Sequence, residues 1–204
     1  NPLTTILGDS QVLLKCLSKN DPLRESVEAI HEAGWTAQKV VQSLIDFSGP
    51  VIQKAEPLSI NTTLQQAVLL VGAQIQTTGI NIDINLEAGL KDVVADFSRL
   101  VDLWVILMLQ LRDIALEHQV ESCIILNSKA VDQGVLVELR LPSVILSQSR
   151  LANIFEPNFT SPITGFGTGM ELTICREIIF QHHGQISATV DENDTVFQII
   201  FPTV

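Results

Sequence analysis

Tyrosine is absent from this sequence, and aromatic residues together make up only 5% of its 204 residues. A surface that stacks nucleobases needs such side chains, so that class of single-strand binder is disfavoured. Positive charge is scarce as well, since 12 Lys and Arg stand against 23 Asp and Glu, a formal net charge of -11. Phosphate backbones and anionic membrane surfaces would be repelled, which argues against nucleic acid and lipid headgroups as partners. The most apolar run, Leu103 to Leu109, follows Asp102 and falls far short of the roughly 20 residues that a membrane-spanning helix needs, so no direct membrane insertion is expected. Cys16, Cys123 and Cys175 are the only cysteines, at spacings unlike any zinc or redox motif. Their odd number fits a reducing, cytoplasmic setting in which thiols serve as small apolar fillers. With neither an initiator Met nor a signal-like leader, the chain is expected to begin inside a longer polypeptide.

What is abundant is aliphatic side chain: 46% of the residues are hydrophobic, enough for a large domain or for a small module joined to a domain of about 150 residues. Residues 1–17 and 21–48 read as two helices separated by the polar break Ser18 to Asp21, with Asp21-Pro22 as N-cap and first helical position. In the second helix Leu23, Val27, Ile30, Gly34, Ala37, Val41 and Leu44 alternate in fours and threes, and in the first Leu3, Ile6, Ser10, Leu13 and Leu17 do the same. Leu14, Ile45 and Phe47 widen this stripe beyond what one partner helix can cover. A homodimeric four-helix bundle through residues 1–48 would bury it. Ser48 to Pro57 reads as a linker. Beyond it, a helix over 62–78, a strand over 79–86 with Ile80, Ile82, Ile84 and Leu86 on one face, a helix over 98–118 and strands over 122–128 and 135–141 lead to a glycine loop and its helix. A hairpin over 185–201 turns at Asp191 to Asp194. The fold class is therefore α+β: a helical hairpin over 1–50, then an α/β sandwich over 51–204 with helices on one face of a mixed sheet.

Several short motifs then fall into one order. Asn1 to Leu14 is similar to the second half of the phosphoacceptor box H-E-x-x-N-P-L-T of bacterial sensor histidine kinases. Val93 to Leu100 resembles the approach to that family's asparagine box, Ile154 to Ser161 its phenylalanine box, Gly165 to Ile179 its second glycine box, and His182 to Ile186 its H-G-G-x-I segment. The resemblance covers nearly the whole chain. It implies dimerising phosphotransfer helices followed by an ATPase domain of the Bergerat (GHKL) type, with a response regulator receiver domain as partner. In such proteins bound ATP phosphorylates a histidine on the first helix, and the phosphoryl group then passes to an aspartate of the regulator.

Set against those motifs, much of the nucleotide chemistry is missing. The phosphoacceptor histidine falls four positions before Asn1, and His31, His118, His182 and His183 do not stand in its place. His31 reads as a solvated helical residue, while His182 and His183 read as caps of a helix end before Gly184. The family's magnesium-binding asparagine and the polar residue one turn before it align with Gln110 and Ile106 in one register, and with Ile114 and Gln110 in the other. A Gln is a poor substitute for Mg²⁺, which demands near-ideal octahedral geometry. Asp113 and Glu117 on the same helix are the remaining candidate carboxylates. Where the family's D-x-G-x-G aspartate accepts from the adenine amino group this chain has Leu141, and Leu141, Val144, Ile145 and Leu146 are expected to fill the slot. Gly165, Gly167, Thr168 and Gly169 retain a vestigial phosphate loop ahead of a helix, beside Phe155 and Phe159 and a very short lid, Ser161 to Thr164. Glu171 replaces a glycine, and its carboxylate is expected to favour the helix dipole where a phosphate would sit. No cofactor is therefore expected. A histidine-kinase-like transmitter with a degenerate ATP site is the leading expectation, and an active autokinase that uses ATP and Mg²⁺ in an atypical pocket is the alternative.

Overall fold

The computed structural model describes residues 2–18, 21–48, 54–119, 123–156 and 169–203. The chain divides into two compact units, residues 1–49 and 50–204.

The first unit is a hairpin of α1 (Pro2–Cys16) and α2 (Arg24–Ser48). Its N-terminal turn differs from the sequence reading. Asp21 Oδ1 accepts from Leu23 N–H at 2.9 Å, Pro22 and Leu23 form a turn, and α2 starts at Arg24. The Arg24 guanidinium in turn caps α1 by donating to the carbonyls of Leu14 and Leu17 at 3.2 and 3.1 Å. Leu7 meets Gly34, where an added Cβ would lie 3.0 Å from Leu7 Cδ2. The face of α1 turned inward therefore runs Leu3, Leu7, Ser10, Leu14, Leu17, rather than through Ile6 and Leu13, which are 44% and 49% exposed. On α2 the inward positions are Arg24, Val27, His31 and Gly34, while Leu23, Ile30 and Val41 stay exposed. Each helix thus carries a stripe for its hairpin partner and a second apolar stripe that the hairpin leaves uncovered. The side chains of Leu44, Ile45 and Phe47 lie outside the described residues.

The second unit runs β1 (Glu56–Leu58), α3 (Ile60–Gln76), β2 (Asn81–Leu86), β3 (Val93–Ala95), α4 (Phe97–Glu117), β4 (Cys123–Val131), β5 (Gly134–Leu141), α5 (Gln148–Asn153), α6 (Glu171–Gln181), β6 (Gln185–Asp191) and β7 (Asp194–Phe201). The main sheet has the order β2-β4-β5-β7-β6, in which β2 and β4 are parallel and the other pairs antiparallel. β1 and β3 form a separate antiparallel pair. Neither of these short strands, nor α5, is legible in the sequence, and part of the expected linker is in fact β1. Three-residue strands offer too few alternations to reveal a period.

Register sorts the sheet into two faces. One row, Leu86, Ser128, Val137, Ile199, Ile186, and the next, Ile84, Leu126, Leu139, Phe197, Ala188, face the helices. Among these Ile84 is 42% exposed, because edge strand β2 reaches beyond the helix layer. Between them a polar row, Asn85, Asn127, Glu138, Gln198, Ser187, crosses all the strands on the opposite side. The core is closed by the buried faces of α3, α4 and α6. At its centre Trp104 is fully buried, donates Nε1–H to Thr63 Oγ1 at 2.8 Å, and stands edge-on to Phe201 at 6.1 Å.

Gly184 joins α6 to β6 where no Cβ fits: one would lie 2.8 Å from the Ile200 carbonyl oxygen and 2.9 Å from both Ile179 Cγ2 and Phe201 Cδ1. Gly184→Ala is expected to cost about 1–3 kcal/mol by overpacking, read as a lower urea midpoint with an unchanged m-value.

Candidate nucleotide site

The site is built on the end of β5 and the segment that follows it. Leu141, the last residue of β5, is 0% exposed, and Val144 and Leu146 join it in the core. Ile145 does not, being 55% exposed, which corrects its expected place in the slot. The reason is a set of hydrogen bonds from β7. Buried Thr195 donates Oγ1–H to the Val144 carbonyl at 2.8 Å and accepts from Leu146 N–H at 3.3 Å. Ser143, at a φ of +59°, donates its N–H to Asp194 Oδ1 at 3.1 Å. Held at both ends, the segment turns Val144 and Leu146 inward and Ile145 outward. Arg140 braces the same corner by reaching Asp191 at 2.7 Å and Asp194 at 2.9 Å. That guanidinium holds the Asp194 carboxyl below its ordinary range. At the position that the resemblance assigns to adenine recognition, the described side chains are therefore those of Leu141, Val144 and Leu146, all buried hydrocarbon.

On α4, Asp96 is the N-cap, accepting from Ser98 N–H and Arg99 N–H at 3.0 and 3.2 Å. Ile106 and Gln110 are half-buried, and Ile114 is buried at 1% exposure. The two candidate carboxylates both face guanidinium groups. Asp113 Oδ1 accepts from Arg112 Nε at 2.7 Å, and Glu117 forms a bidentate pair with Arg150 of α5 at 2.7 and 3.0 Å. Among the described residues no cluster of three or more His, Cys, Asp or Glu is placed to hold a metal ion.

At α6, Gly165, Gly167 and Thr168 lie outside the described residues, as do Phe159 and the short lid. Gly169 adopts a φ of +73°, a conformation that favours glycine. Glu171 is the first residue of α6, half-buried in its first turn, where the helix dipole favours a carboxylate. Phe155 stands edge-on to Phe197 at 6.0 Å, and its carbonyl accepts from Thr173 Oγ1 at 3.0 Å.

His31, His118 and His182 have structural partners. His118 Nδ1 lies 2.9 Å from the Ile114 carbonyl. His31 is not solvated as the sequence suggests, but half-buried between Ser10 and Trp35. His182 is 2% exposed at the C-cap of α6. Its Nδ1 lies 2.7 Å from the Ile178 carbonyl and its Nε2 accepts from Asp96 N–H at 3.0 Å, so only the neutral tautomer protonated on Nδ1 satisfies both. His183 is exposed, at a φ of +59°. Of the cysteines, Cys175 is a true filler, with its thiol pushed up by burial, whereas Cys16 is exposed. Sequence reasoning missed Thr195 and the Glu117–Arg150 pair. Their partners are 49 to 51 and 33 positions away along the chain, and no local spacing signals them.

A helical hairpin followed by an α/β sandwich, in which a glycine turn enters α6 beside a mixed sheet, is the architecture of a histidine kinase transmitter region. Comparison with known proteins agrees. The chain is 24% identical over 208 residues to the sensor histidine kinase ZraS of Salmonella typhimurium (strain LT2), covering 100% of this chain and 43% of that protein. With the signal transduction histidine-protein kinase AtoS of Escherichia coli (strain K12) it shares 27% identity over 209 residues, covering 99% and 33%. It thus spans less than half of these relatives. Among solved structures, full-length ShkA in complex with AMPPNP superposes with a TM-score of 0.70 at 21% identity, covering 100% of this chain and 44% of ShkA. Histidine kinase ThkA in complex with the response regulator protein TrrA gives 0.71 at 22% identity, covering 100% and 58%. No family model matches the chain. The chain is a homologue of sensor histidine kinases and has the fold of their transmitter region, ATPase-type unit included.

Burial lowers the pKa of His182 from its ordinary 6.5. The unfolded chain therefore binds the proton more readily, and the stabilisation from neutral His182, complete above about pH 6.5, is lost as the pH falls toward the folded-state value. His182→Gln is expected to flatten the pH dependence of unfolding below pH 6.5, measured by urea titration.

Proposed function

We propose that this chain is the transmitter module of a two-component signalling protein whose nucleotide cleft no longer takes up ATP productively. It works as a pseudokinase scaffold, or as a phosphotransferase that exchanges phosphoryl groups between a response regulator receiver domain and a histidine four positions ahead of Asn1. The observation that carries this reading is the full burial of Leu141, which the resemblance sets at the adenine-binding aspartate, together with the burial of Val144 and Leu146 in the same core. The residues present do not fit a magnesium nucleotide: an aliphatic side chain replaces the adenine acceptor, and Gln110 or Ile114 replaces the metal-binding asparagine. Loss of a hydrogen bond to a charged acceptor costs about 1.5–3 kcal/mol. A carboxylate such as that of Glu171, if about 5 Å from a phosphate at an effective dielectric near 20, adds roughly 3 kcal/mol. Together these move a micromolar site beyond millimolar. The ThkA complex with TrrA supports a receiver domain as partner.

Titration calorimetry with Mg-ATP is expected to detect no binding below millimolar concentration, and 1:1 binding at low micromolar concentration would overturn the reading. The rival, an active autokinase, is favoured by the likeness to ShkA, which was solved with an ATP analogue, and by Gly169 in its glycine conformation. With a chain extended to include the upstream histidine, acid-labile label acquired from ATP identifies a kinase. Label acquired only from a phosphorylated receiver domain identifies a relay.

The uncovered stripe of Ile6, Leu13, Leu23, Ile30 and Val41 supports a homodimer through residues 1–48. Sedimentation equilibrium is expected to give twice the 22.4 kDa chain mass, and Ile6→Glu with Ile30→Glu to give the monomer without loss of helix by circular dichroism.

A further inference from the structure

Across the inner face of the helical hairpin runs a chain of hydrogen bonds that only one protonation state allows. Trp35 Nε1–H donates to His31 Nε2 at 3.1 Å, and an indole nitrogen can only donate. Ser10, 3% exposed on α1, donates its hydroxyl proton to the Leu7 carbonyl at 3.0 Å and lies 2.8 Å from His31 Nδ1. His31 must therefore be neutral, with its proton on Nδ1 directed to Ser10. The chain runs Trp35 to His31 to Ser10 to the α1 backbone, and it excludes His31 as a base for the Ser10 hydroxyl.

We propose that His31 makes this hairpin proton-responsive. A second proton on the ring must go to Nε2, where it sets two N–H donors against each other. The indole then withdraws, and Trp35, 47% exposed and edge-on to the imidazole at 6.3 Å, has solvent to move into. The break falls one turn from the tight contact of Leu7 with Gly34. No charge opposes it from the facing helix: the inward positions of α1 are Leu3, Leu7, Ser10, Leu14 and Leu17, and Asp9 and Lys15 are exposed. On α2 itself, Glu28, three residues before His31, pairs with Arg24 at 2.9 Å, and Glu25 and Glu32 are exposed.

Hydrogen exchange of the whole chain, as protection factors corrected for intrinsic rates, tests this. From pH 8 to pH 5, protection of the amides from Leu7 to Leu14 is expected to fall about fivefold, as for one lost hydrogen bond. Trp35→Phe removes the opposing donor and His31→Gln removes the imidazole, and either is expected to abolish the fall. Equal protection at both pH values in the parent, or the parental response in Trp35→Phe, overturns the proposal.

Discussion

A single buried hydroxyl, that of Thr195, fixes the segment that follows β5. Because Oγ1 bonds both the Val144 carbonyl and the Leu146 N–H, the segment after β5 cannot swing outward without leaving two backbone groups and one side chain unsatisfied in a dry interior. Each such group costs about 1–3 kcal/mol. Leu141, Val144 and Leu146 are thereby committed to the core. The ion pairs of Arg140 with Asp191 and Asp194 fasten the tip of the β6–β7 hairpin to the same corner.

This commitment could be read only in part from the sequence. The resemblance, counted back from Ile154, sets Leu141 at the family's aspartate position, and alternation gave the long strands and helices, because an apolar side chain every second or every third to fourth residue leaves few other ways to be buried. Whether the segment beyond Leu141 plugs the core or lines a cavity depends on a threonine 49 to 51 residues away. The same limit explains α5, a six-residue helix whose place is marked by Arg150 reaching Glu117 across 33 positions.

In the hairpin the shortfall was of another kind. Heptad spacing found an apolar stripe on each helix, yet a helix with two stripes offers two equivalent seams one residue apart. Ile6 and Leu13 satisfy the spacing as well as Leu7 and Leu14 do. What selects the inner seam is steric and polar: Gly34 admits Leu7, and Ser10 admits His31. A position without a side chain and a buried polar bridge therefore set the register that hydrophobicity alone leaves open.

The polar row from Asn85 to Ser187 bears on how the ATPase-type unit can be approached. Glu138, within that row, is 8% exposed and paired with Lys129 at 3.0 Å. Stripping water from a belt of amides and a nearly enclosed carboxylate is costly. A layer laid over this row would therefore have to supply its amides and carboxylate with hydrogen-bond partners.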